Sequence, residues 1–83
     1  DQLIVDTRTN PVTVTLPSSA TVGDEISIID GYNFFASNNC VVGNNGLNIL
    51  GAASALTLNT NRQSITLVYV NATQGWTYKT NTA

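Results

Sequence analysis

"SITLVYVNATQGWTYKT", residues 64–80, decides the fold: two runs rich in β-branched and aromatic residues flank "NATQG". Val, Ile, Thr, Tyr and Trp fit a pleated, half-buried surface, whereas Asn and Gly accept the backbone angles of a turn. The segment is predicted to be a β-hairpin. Alternation places Ile65, Leu67 and Tyr69 on one side of its first strand, yet Val68 and Val70 make the other side apolar too. A strand apolar on both faces is covered on both faces. In a chain of 83 residues that second cover is either another strand layer or a neighbouring subunit.

Working outward, "PVTVTLP" at 11–17 sets Val12, Val14 and Leu16 against Thr13 and Thr15, with a proline at each end. Residues 2–7, "QLIVDT", read as an earlier strand, and "RTNP" between them supplies turn residues, so a second hairpin is expected here. In "DEISIID", Ile26 and Ile28 share one face and Ile29 takes the other; "GYNFFASNN" follows as a longer loop with two aromatic anchors. Short strands are expected near residues 40–42, 47–50 and 56–59. Asn45-Gly46, flanked by "CVV" and "LNIL", is a strong hairpin signal because both residues tolerate positive φ. The whole reads as one all-β domain over residues 1–83: a compact antiparallel β-sandwich or partly open barrel of about eight short strands. Asp1 in place of Met, followed at once by "LIV", suggests a piece of a longer polypeptide.

Charge narrows the function. The cations are Arg8, Arg62 and Lys79, the net charge is −2 and there is no histidine. The basic footprint of a nucleic-acid binder is missing. Triads of the Ser/His/Asp or Cys/His kind have no imidazole to take the proton. The lone Cys40 can form no internal disulfide, and a buried thiol serves as a small core hydrophobe. No apolar run approaches the roughly 18 to 20 residues that span a bilayer. Among the carboxylates, Asp24 and Glu25 read as strand-start residues and Asp30 as a turn residue before Gly31. A calcium site at Asp30 with nearby Asn side chains matches no loop motif.

Gly43, Gly46 and Gly51 fit neither the dinucleotide fingerprint nor the P-loop. No catalytic, cofactor-binding or metal-ligating residue is therefore assigned. Asn71 in "NAT" fits a glycosylation acceptor formally, but its place in the turn explains it without sugar. Tyr32, Trp76 and Tyr78 are candidates for stacking on a ligand ring, although the period-two placement of the last two assigns them first to a core. Leu47, Leu50 and Phe34, one of the paired phenylalanines, exceed what a small core accommodates. With Val68 and Val70 they form the candidate subunit interface.

The order of these parts resembles a small β-domain that recurs in virion structural proteins of tailed phages, especially T-even-like myophages and cyanophages. The matching pieces, in order, are Val5 to Thr7, Thr13 to Pro17, Gly23 with Asp24, Asp30 with Phe35, Asn38 with Asn39 and Val42, Asn45 with Gly46, Ile49 with Gly51, and Tyr69 with Trp76. The likeness runs from about Ile4 to Tyr78; Cys40 and the doubled Phe34-Phe35 depart from the pattern. It implies a structural module of a tail fibre, tailspike anchor or baseplate wedge protein in the virion. Such modules are homotrimeric and contact other tail or baseplate proteins, and the resemblance carries over no catalytic residue and no cofactor. The alternative is a carbohydrate- or receptor-binding module at a fibre tip, taking a host surface glycan.

Overall fold

The alternating segments form seven strands in a computed structural model that describes residues 2–82; Asp1 and Ala83, the ends of the predicted domain, lie outside the described residues. They are β1 (Gln2–Val5), β2 (Val12–Thr15), β3 (Glu25–Asp30), β4 (Cys40–Gly43), β5 (Leu56–Leu58), β6 (Ser64–Asn71) and β7 (Gly75–Thr82). No helix occurs among the described residues. One sheet has the order β1-β3-β6-β7 and the other β2-β4-β5.

The hairpin expected at residues 64–80 is β6 and β7, antiparallel, with Tyr69 opposite Trp76 and Leu67 opposite Tyr78. Its turn is closed by the Asn71 side chain, whose Oδ1 accepts the Gln74 N–H at 2.7 Å, and by Gly75 at φ 68°. Side-chain alternation in β6 is strict: Ile65, Leu67 and Tyr69 are buried, and Thr66, Val68 and Val70 between them are half-buried.

The sheets are mixed, which corrects the expected antiparallel arrangement. β1 runs parallel to β3, with Leu3 beside Ile28, and β2 runs parallel to β4, with Val14 beside Val42. Residues 2–7 and 11–17 therefore form no hairpin; their strands belong to different sheets. Parallel neighbours need a long crossover. Here β2 lies within the crossover from β1 to β3, and β3 within that from β2 to β4, so the first four strands alternate between the sheets. The turn chemistry at residues 6–11 carries the chain from one sheet to the other.

Residues 47–50 are not a strand, which lowers the count from eight to seven. The Asn-Gly turn itself forms: Asn45 has φ 49°, Gly46 has φ 89°, and the Leu47 N–H donates to the Asn44 carbonyl at 3.1 Å. Positive φ at both central residues is the hairpin-turn pattern, but the antiparallel partner of β4 is β5, with Val42 opposite Leu56. Ile49 makes only isolated bridges, to Ala52 and to Trp76.

Both sheets feed one core. The four-stranded sheet contributes Val5, Ile28, Ile65, Leu67, Tyr69 and Trp76; Cys40, Val42 and Leu58 come from the other, and Leu16, Phe35 and Ile49 from the connections. The Tyr69 and Trp76 rings meet edge to face at 5.6 Å. Cys40 has no exposed surface, and burial, with the Asp30 charge second, pushes its thiol up to about 11.

Asp30 is the charged residue of this interior. Its carboxylate accepts the backbone N–H groups of Tyr32, Phe34, Phe35 and Arg62 at 3.4, 3.1, 3.1 and 3.0 Å. Burial alone would raise its pKa; the four donors together outweigh burial and hold it below the ordinary 3.8. The spacing from Asp30 to Phe35 thus has a physical cause: one side chain closes the loop that drives Phe35 into the core.

Candidate functional site

The first candidate surface follows from strand register. On the side of the four-stranded sheet opposite Ile28 and Ile65, Glu25, Val68 and Thr77 form one row, Ser27, Thr66 and Thr80 a second, and Ile29, Ser64 and Thr82 a third. β1 adds Gln2 beside Ser27 and Ile4 beside Ile29. Alternation puts Val70 on the same side. Most of this face is hydroxyl and β-branched. Ser27 Oγ and Thr66 Oγ1 are 2.9 Å apart, and Lys79 Nζ pairs with Glu25 Oε2 at 3.0 Å. Ile4 is 69% exposed.

The predicted interface residues divide. Val68 and Val70 lie on this face. Leu50 is exposed and lies beside β7 near their end of the sheet, its N–H donating to the Trp76 carbonyl at 2.7 Å. Phe34 is exposed in the loop after β3, at the opposite end of that strand. Leu47 is half-buried against the core rather than surplus. The structure therefore puts two of the five on the sheet face, with Leu50 beside its β7 edge, and adds Ile4 and Ile29. Ile29 was legible from its position opposite Ile26 and Ile28. Ile4 was not, because "LIV" has no alternation to orient it.

The stacking candidates do not come together. Trp76 is 1% exposed, closed over by residues 48–50 through its N–H to the Asn48 carbonyl at 2.9 Å. Its ring presents no open face, so Trp76 has the core role that its period-two placement favoured, and the lesser stacking candidacy is corrected. Tyr78 is half-buried and packs against the core. Tyr32 is 48% exposed and carries the Arg8 guanidinium 3.5 Å from its ring centroid. Arg8 is oriented by Asp6 through Nε to Oδ1 at 3.1 Å and Nη2 to Oδ2 at 2.9 Å, and these bonds hold the Asp6 carboxyl below its ordinary range.

A second surface is an open groove of about 530 Å³ lined by Pro17, Gly23, Asp24, Glu25, Ile26 and Trp76. It sits where β3 begins. Asp24 Oδ2 accepts the Thr21 N–H at 2.9 Å and so shapes the rim. The Trp76 indole Nε1–H is buried without an acceptor among the described residues. No cluster of three or more His, Cys, Asp and Glu side chains suited to a metal ion occurs among the described residues. No family model matches the chain, and no curated protein matches it.

Proposed function

We propose that the chain is a non-enzymatic structural module of a phage tail fibre or baseplate. It works in the virion as a homotrimer and contacts neighbouring tail or baseplate proteins, its two sheets closed as a sandwich. The observation that carries the assembly reading is the outer face of the four-stranded sheet, where Ile4, Ile29, Val68 and Val70 stand among mostly hydroxyl side chains, the Glu25 carboxylate beside Val68 being paired with Lys79. Such a face costs little to desolvate and gains from being covered. The order of turns and strands along the sequence supports the phage assignment. Ile4→Lys is the direct test: a charge at this exposed position should lower the assembly mass while the circular dichroism spectrum stays that of a β-protein. An unchanged assembly would remove this face from the interface.

The second reading, a carbohydrate- or receptor-binding module, is favoured by one observation: Tyr32 is exposed and is held against an oriented guanidinium. Host-glycan binding that is lost in Tyr32→Ala, with the mass unchanged, would favour it over a purely architectural role.

A further inference from the structure

We propose that the groove beside Trp76 seats the Arg62 side chain of a second copy of this chain, making a head-to-tail contact between copies; this rests on the assembly reading above. The ionic pairing within one copy leaves a remainder. Of the three cations, Arg8 pairs with Asp6 and Lys79 with Glu25, while Arg62 has no carboxylate within ion-pair reach among the described residues. Among the carboxylates, Asp30 is filled by four backbone N–H groups, while Asp24 accepts the Thr21 N–H and, among the described residues, meets no cation.

These two charges cannot meet within one molecule. Asp24 immediately precedes β3, and the Arg62 backbone is tied to Asp30 at the other end of that strand. At about 3.3 Å per residue the two ends are on the order of 20 Å apart, too far for an arginine to span.

Each end is built for a partner. The Arg62 turn is fixed by its N–H to Asp30, by the Gln63 N–H to the Thr60 carbonyl at 3.2 Å and by the Ala36 N–H to Asn61 Oδ1 at 2.9 Å, so the guanidinium projects from an ordered loop. Ordering before contact lowers the entropic cost of binding. The groove offers Pro17 and Ile26 to the aliphatic stem and the Asp24 carboxylate to the head. Two unlike patches in contact make a heterologous interface, which forms a ring when its rotation closes and a filament when it does not. A trimer is such a ring.

The test uses Asp24→Asn, which keeps an acceptor for Thr21, and Arg62→Asp and Arg62→Asn, which tolerate the φ of 66° at that position. Sedimentation at low salt should show self-association weakened about fivefold or more in each variant. An equimolar mixture of Asp24→Asn and Arg62→Asp keeps one intact junction, so it should form mixed dimers that neither variant forms alone. If the unmodified chain assembles and the Arg62 variants assemble equally well, or the mixture recovers nothing, this contact is wrong and the assembly reading stands. A chain that is monomeric throughout overturns both.

Discussion

The carbonyl oxygen of Asn48 occupies the space into which a side chain on Gly75 would project, and the same oxygen accepts the Trp76 N–H at 2.9 Å. Residues 48–50 are thereby fastened along the start of β7, with Asn48 Nδ2 donating to the Thr73 carbonyl at 2.8 Å. Gly75 also has φ 68°. Gly75→Ala combines backbone strain with displacement of that carbonyl and should cost about 2 to 4 kcal/mol. Gly46, at φ 89°, has nothing within 4 Å of an added Cβ, so Gly46→Ala should cost only about 1 kcal/mol, from the backbone alone. Urea unfolding followed by the fluorescence of Trp76 separates the two.

Asp30 gives the fold an acid limit. Its folded pKa lies below the ordinary 3.8, so its contribution is fully present above that value and is lost as pH falls through the folded pKa. The melting temperature should therefore drop below about pH 4. Asp30→Asn leaves at least one buried N–H without its acceptor and should cost about 1 to 3 kcal/mol at neutral pH while flattening the acid limb. Asp6 is also held below its ordinary range, but in an exposed pair that solvent screens. Asp6→Asn should leave the acid limb nearly unchanged.

Leu67 has no exposed surface and sits mid-strand in β6, between β3 and β7. Leu67→Ala should lose about 2 to 5 kcal/mol, a large share of the stability of a domain this small. Thermal melting should show the chain unfolded or dissociated near ambient temperature; a native melting curve would mean that the β6 core position has been misassigned.

The β6–β7 hairpin was legible because its information is local: alternation in residues 64–70, a turn rich in Asn and Gly, and aromatic residues in the return strand. The parallel pairs were not. Leu3 beside Ile28 and Val14 beside Val42 are contacts over about 25 residues, and nothing in "RTNP" distinguishes a turn that pairs its flanking strands from one that passes the chain to the other sheet. The Asn45-Gly46 turn shows the same limit, since its geometry formed but its flanks did not pair. For the site, Val68 and Val70 were legible from an apolar second face. Trp76 takes the core place that its period-two position favoured over stacking, and the strap of residues 48–50 that closes over it stands where the sequence pattern suggests a strand. Arg62 and Asp24 became informative only once the partners of the other charged side chains were known.

Light scattering on the purified 83-residue chain, followed over a hundredfold range of concentration, tests the assembly most directly. A mass three times the 8.8 kDa of the protomer, falling toward the protomer on dilution, is the expected result. A single protomer mass at every concentration would contradict it.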